Sequence, residues 1–244
     1  MGLGDWLMAT SQVKKMYEAK PIPVCVTGRG GRRMWSEVFD NNPKMAGSPG
    51  RGVQVLVNGP GMRPYIAAKY EQRWVWKKWD ISPGEMFLTW EEKRFAETYR
   101  NCVLIEPNTK VVDGNKSWPW ARWESLAGKL SDVRLVQTGP SNTRVLQGVE
   151  SVTTTFRQAA AVMSVASAFV GTEGALHHAA AAFGTPAVVL WSEFVSPEFT
   201  GYETQRNIRH ATGACGSRVP CAGCKLSMEQ ISVEEVITTL GEVL

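Results

Sequence analysis

The stretch AFVGTEGALHHAAAAFGTPAVVLW, residues 168–191, decides the fold class. It opens on the apolar run AFVGT and ends on another, PAVVLW. Between them lies EGALHHAAAAFG, closed by Gly184. Alanine and leucine favour a helix interior, and a glycine just past the last helical residue is a common stop. Two apolar strands joined by a helix make a parallel unit of the kind that builds α/β sheets. The same stretch sets two of the chain's three histidines, His177 and His178, side by side after a glutamate between glycines. Successive helical residues point about 100° apart, so the pair cannot share one role.

Outward from there the alternation continues. NCVLIEPN (101–108) is a short apolar run ended by Pro107, and WPWARWESLAGKLSD (118–132) carries Trp120, Trp123, Leu126 and Leu130 at helical spacing. VRLVQTGP (133–140) reads as the next strand and FRQAAAVMSVAS (156–167) as the next helix. Strict alternation from about residue 100 predicts a doubly wound parallel sheet. The first hundred residues are less regular. GDWLMATSQVKKMYEA (4–19) reads as a helix, and PIPVCVTG (21–28) and GVQVLVNG (52–59) as strands around a loop-rich segment. RPYIAAKYEQRWVWKKWD (63–80) and TWEEKRFAETYR (89–100) read as helices. The expected organisation is a small N-terminal lobe over residues 1–98 and a C-terminal Rossmann-like lobe over 99–244.

The bulk numbers bound the function. The 244 residues are 43% hydrophobic and 20% charged, enough for one large domain or two small ones. No apolar run approaches the ~20 residues of a membrane span. The first residues, MGLGDWLMATSQVKK, lack a basic region followed by an apolar one, so no secretory signal is expected and a cytoplasmic location is the default. The net charge of +4 suits an anionic ligand, while the absence of a dense basic block argues against nucleic acid.

In a doubly wound sheet, ligands bind beyond the carboxyl ends of the strands, where helices begin. VGTEGALHH is such a turn, and the free N–H groups and dipole of its helix suit a phosphate or another anion; capping by Glu173 and internal packing of the histidines is the competing reading. A second turn, TKVVDGNKSWPW (109–120), puts Lys116 at a helix entrance. A third, GLGDWL (2–7), puts Asp5 at a helix start, as an N-cap or as a base facing a cleft.

Taken in order, GDWLMATSQVKKM, then Lys-x-Trp-Pro with a tryptophan- and leucine-bearing helix, then EGALHHAAAAFGTPAVVLW with TGY at 200–202, resemble the heptosyltransferase-like glycosyltransferases of family 9. The resemblance covers most of residues 100–205 and, by one short motif, the first 16; between about 29 and 95 it is thin. It implies a two-lobed GT-B architecture and transfer of a sugar from a nucleotide diphosphate donor to a saccharide or glycolipid acceptor in glycan assembly. It implies that Asp5 is the general base and that Lys116 holds the donor diphosphate. Glu173, Gly174 and Ala175 would stand at the donor-binding turn, His178 on the same helix, and Thr200 and Gly201 in a turn close to the donor. Sugar transfer needs a base, positioning, and stabilisation of the departing diphosphate. No Asp-x-Asp motif occurs, so metal-independent, inverting transfer without a cofactor is expected.

Two departures stand out. Glutamate at 173 replaces the family's aspartate, and the chain starts inside what should be the loop after the first strand, so the N-terminal lobe is expected to lack that strand. The alternative reading is a non-catalytic nucleotide-sugar-binding protein with a degenerate acceptor lobe. A Rossmann-type oxidoreductase is disfavoured because no Gly-x-Gly-x-x-Gly follows a strand.

Five cysteines cannot all pair; Cys25 and Cys102 lie in apolar runs and read as buried thiols. In the tail, His210, Cys215, Cys221 and Cys224 form a possible zinc set, with a disulfide or free thiols as the other readings. Trp74, Trp76 and Trp79, beside Arg73, Lys77 and Lys78, offer either a sugar-stacking surface or core and helix-face residues.

Overall fold

The computed structural model describes residues 2–59, 61–111 and 114–244. Met1, at the point where the first strand is expected to be lacking, and residues 112 and 113 of the loop leading to Lys116 lie outside them.

The chain opens with helix α1 (Leu3–Ala19), followed by β1 (Val24–Thr27), a 3-10 turn at Glu37–Phe39, and β2 (Gln54–Val57). β1 and β2 pair in parallel, Val24 with Gln54 through Thr27 with Val57. β1 is buried throughout, whereas β2 alternates, leaving Val55 and Val57 each 45% exposed. Among the described residues the N-terminal lobe's parallel sheet has these two strands.

Residues 63–80 do not form the expected helix. They make an antiparallel hairpin, β3 (Ile66–Lys69) and β4 (Trp74–Trp76), with a bulge between Ile66 and Ala68. The apolar spacing fits a helix about as well as a strand, but Tyr65, Ile66, Trp74, Val75 and Trp76 are β-branched or aromatic. Packing decided between them. Tyr65 and Ile66 bury against Met8 of α1, and Trp76 and Trp79 each donate an indole N–H, to the carbonyls of Phe194 (2.9 Å) and Phe199 (2.8 Å). These tryptophans therefore join the two lobes.

Helix α2 (Trp90–Glu97) starts in a capping box, with Thr89 accepting from Glu92 N–H and the Glu92 carboxylate accepting from Thr89 N–H. Then come β5 (Val103–Glu106), α3 (Trp120–Lys129), β6 (Leu135–Gly139), β7 (Glu150–Thr153), α4 (Phe156–Met163), β8 (Ala168–Thr172), α5 (Ala175–Phe183) and β9 (Ala187–Trp191). The one-turn α6 (Pro197–Thr200), β10 (Arg206–Arg209), α7 (Ala222–Gln230) and α8 (Val233–Gly241) complete the chain. β5 to β10 form one parallel sheet in the order β10-β9-β8-β5-β6-β7. The α/β class and the Rossmann-like lobe are as expected, and the strand order reverses between β5 and β8.

Period-two alternation sorts the strands' side chains onto two faces. Leu104, Phe169 and Val189 enter one core with Trp6, Leu7 and Val13 of α1, Val24 and Val26 of β1, and Ala179 and Ala180 of α5. Val103, Ile105, Val170 and Val188 enter the other, with Trp123, Leu126, Val236 and Leu240. Each fully buried aliphatic side chain contributes about 1.5–3 kcal/mol of hydrophobic stabilisation. The first core runs without interruption from the small sheet to the large one. Buried Arg157 reinforces the join: it holds the Glu92 carboxylate at 2.6 and 2.8 Å and donates to the carbonyls of Glu37 and Phe87, both at 2.7 Å. No described helix is long and apolar enough to cross a membrane.

Candidate functional site

The reversal between β5 and β8 marks the crevice at the carboxyl edge of the sheet where ligands usually sit in this topology. The β5 strand ends there at Glu106, paired with Gly171 of β8. The loop after β5 delivers Lys116; the turn after β8 delivers Glu173 and Gly174 and then starts α5. Lys116 and Glu173 form an ion pair across the crevice, with side chains 32% and 11% exposed. The lysine ammonium also lies 4.9 Å from the centre of the Phe194 ring.

Gly174 caps α5 without a side chain, so by position the first-turn N–H groups of Ala175 and Leu176 lack intrahelical acceptors. The N–H of Gly174 itself donates to His177 Nδ1 at 3.0 Å. That fixes the tautomer: Nε2 carries the proton and donates to the Thr200 carbonyl at 3.0 Å. His177 thus ties the start of α5 to α6, and burial lowers its pKa below the usual value. His178 pairs through Nδ1 with the Tyr202 hydroxyl at 2.8 Å, and burial, then His177, then Lys116 hold its pKa well below the histidine range. Its ring edge lies against Gly4 of α1, where a Cβ would stand 2.5 Å from Cδ2. A glycine here lets the start of α1 rest on the start of α5.

The contact at Gly4 brings Asp5 to the same region. Asp5 is 8% exposed, and four donor contacts reach its two oxygens. Gly2 N–H donates to Oδ2 at 2.8 Å, Arg63 Nη1 reaches both oxygens at 3.1 and 3.2 Å, and the Tyr65 hydroxyl donates to Oδ1. Asp5 is not the N-cap, which is Gly2; from the third helical position it accepts the Gly2 N–H and anchors the segment leading into the β3–β4 hairpin. Arg63 is stacked over Trp74, 4.3 Å from the ring centre.

Of the residues expected at the site, Lys116, Glu173, Gly174, Ala175, His178, Thr200 and Gly201 gather around the start of α5, with Asp5 bordering them through Gly4. Thr200 is buried, and a Cβ on Gly201 would stand 2.9 Å from Pro197, so that turn is close-packed. His210 is a correction: its Nε2 pairs with Glu235 at 2.9 Å, on the surface, and it does not join the cysteines. Cys215, Cys221 and Cys224 do cluster.

Three residues escaped the sequence reading. Arg63 and Tyr65 meet Asp5 across some sixty positions, and no local pattern signals that contact. Glu106 had a signal: a lone carboxylate closing an apolar strand before Pro107. Its pKa is pushed up to about 8 by burial, with only the Asn108 N–H, at 2.9 Å, favouring the charged form.

The sequence profile of glycosyltransferase family 9 (heptosyltransferase) matches residues 69–230. No curated protein sequence matches the chain. Among solved structures, the ADP-heptose lipopolysaccharide heptosyltransferase II of E. coli is 22% identical with a TM-score of 0.51, over 71% of this chain and 55% of that one. The chain therefore spans just over half the length of that enzyme. A family 9 glycosyl transferase from Veillonella parvula DSM 2008 is 14% identical with a TM-score of 0.67, over 100% of this chain and 94% of that one. The iron-containing dodecameric glycosyltransferase TibC of enterotoxigenic E. coli H10407 is 13% identical with a TM-score of 0.61, over 100% and 73%. At these identities the likeness is one of fold.

Proposed function

The chain belongs to glycosyltransferase family 9, and from that premise we propose that it moves a sugar from a nucleotide diphosphate donor to the hydroxyl of a saccharide or glycolipid acceptor, with inversion. TibC has a structure in complex with ADP-D-beta-D-heptose, which makes an ADP-linked heptose the first donor to try. One observation carries the reading: the Lys116–Glu173 pair sits at the strand-order reversal, beside the start of α5, whose N-cap glycine has no side chain to cover the first-turn N–H groups.

The steps follow from that placement. The donor diphosphate enters the crevice and takes Lys116 from Glu173, while the first-turn N–H groups and dipole of α5 share its charge. The acceptor oxygen attacks the anomeric carbon from the face opposite the diphosphate. A carbon–oxygen bond to the acceptor forms as the bond to the diphosphate breaks. The acceptor's proton passes to Asp5, and the departing charge stays on Lys116 and α5. Every partner of Asp5 donates to it, so both carboxyl oxygens act as acceptors. The Tyr65 hydroxyl on Oδ1 is the donor that an acceptor hydroxyl would replace. No step routes through a metal ion.

A second reading, binding without transfer, draws on one observation: both Asp5 oxygens are already engaged in a buried network. A panel of nucleotide sugars, scored for binding and for turnover, separates the two. Under the transferase reading Lys116→Ala weakens donor binding and Asp5→Asn abolishes turnover while donor binding persists. Under the binding reading a donor binds, no turnover occurs, and Asp5→Asn leaves donor binding unchanged. Failure of every donor to bind sinks both.

A further inference from the structure

Beyond β9 the chain folds back so that three of its sulfurs meet. Cys215 Sγ lies 3.4 Å from Cys224 Sγ and 3.8 Å from Cys221 Sγ, and all three are free thiols. A tetrahedral ion with metal–sulfur bonds of about 2.3 Å has sulfur–sulfur edges of about 3.8 Å. All three sulfurs lie within 4.8 Å of one another, close enough for one ion to reach them together. The carboxylate of Glu193 packs onto the backbone of Gly223, between Cys221 and Cys224 in sequence, and its carbonyl accepts from Cys215 N–H at 2.7 Å. Glu193 thus braces the chain on both sides of the cluster, and the ligand atoms that gather are the three sulfurs.

What this knuckle touches gives it a purpose. On one side Asn115, the neighbour of Lys116, donates to the carbonyls of Ser217 (2.9 Å) and Val219 (2.8 Å) and accepts from Cys221 N–H at 2.9 Å. On the other side, Trp74 N–H donates to the Gly216 carbonyl at 2.9 Å, and Arg218 N–H donates to the Gln72 carbonyl at 2.9 Å. Arg218 also reaches the Glu71 carbonyl with Nη1 at 2.7 Å. Gly216, at φ 65°, runs so close to the Trp74 backbone that a Cβ has no room there. Behind it, Gly216 N–H donates to the Phe194 carbonyl at 2.9 Å. The knuckle is where the Lys116 loop, the β3–β4 hairpin and the loop after β9 converge.

We propose that Cys215, Cys221 and Cys224 bind one thiophilic metal ion, zinc or iron, and that this ion fastens the Lys116 loop and the β3–β4 hairpin to each other. The role is structural and independent of the transfer reaction. Thiolate ligation ties the irregular segment 215–221 to the first turn of α7, as small metal knuckles do where no hydrophobic core is available.

The test uses the full chain purified under reducing conditions. Elemental analysis should find on the order of one ion per chain and should tell zinc from iron. Cobalt(II) added to the chelator-treated protein should give near-ultraviolet thiolate-to-cobalt charge-transfer absorption. Both signals should vanish in Cys221→Ser and Cys224→Ser and survive in His210→Ala. Hydrogen exchange of the chelator-treated wild-type protein should rise about tenfold in residues 114–119 and in 66–76 together. Absence of metal and of the cobalt signal in wild-type protein overturns the site, as does recovery of a disulfide among the three cysteines. Faster exchange confined to residues 215–224 overturns the fastening role. Donor binding is not read in any arm, so the outcome stands apart from the transferase reading.

Discussion

Lys116 holds one carboxylate in place of the diphosphate proposed for it. Removing a charged hydrogen-bond partner costs about 1.5–3 kcal/mol, so Lys116→Ala should weaken donor binding about 10- to 150-fold by calorimetry. Glu173→Gln should strengthen binding of inorganic diphosphate, because the lysine no longer has to be released; weaker binding would show Glu173 to be a donor ligand and not a competitor. Glu106 makes a pH prediction. Its pKa is raised by burial from the usual 4.5 to about 8, so the folded state binds its proton more tightly than the unfolded chain. Its stabilising contribution is complete below the unfolded value and is lost as pH climbs from about 4.5 through about 8. Glu106→Gln should raise Tm above wild type at pH 9 and change it little at pH 4. At this scale Lys116 and Glu173 were legible because a residue's place after a strand can be read along the chain. Arg63 and Tyr65 were not, since their meaning is a contact with Asp5 that only folding creates.

Elements were legible where pattern and packing agreed. α1, α5 and the central strands bury faces that their own spacing defines. The β3–β4 hairpin was misread because its aromatic spacing fits both periods and its partners, Met8, Phe194 and Phe199, lie far away in sequence. The short β7 and β10, at the two edges of the sheet, carry too few apolar residues to announce themselves. Helix packing yields its own prediction at Gly4. Replacing glycine by alanine in an exposed helix interior is stabilising by up to about 1 kcal/mol. At Gly4 the added methyl meets the His178 ring, and overpacking costs about 1–3 kcal/mol. Gly4→Ala should therefore lower the urea midpoint; a rise would mean that α1 does not rest on α5.

Across the whole molecule, one apolar core joins both sheets, and Arg157 clamps the N-terminal segments to α4. Unfolding followed by tryptophan fluorescence, mostly from the first half, and by far-ultraviolet dichroism should give one coincident transition; two separated transitions would show that the lobes unfold independently. Acid should act through the buried histidines. His177 and His178 have folded pKa values below the usual 6.5, so the stability they confer as neutral groups is present above that value and is lost as pH falls below it. A double replacement by residues that do not titrate should flatten the slope of Tm between pH 6.5 and pH 5. The alternation of strand and helix announced the Rossmann-like lobe, but no periodicity marks where two lobes share a core.

The pairing of β5 with β8, Val103 beside Ala168, also has a kinetic side. β5-β6-β7 and β8-β9-β10 are each built from neighbours in the chain and close short loops, whereas the β5–β8 seam must close a long one, with a correspondingly larger entropy cost. The crevice that holds Lys116 and Glu173 straddles that seam. It comes into being with the non-local pairing of two locally formed halves. A ligand bridging the crevice spans both halves and should slow unfolding more than it speeds folding.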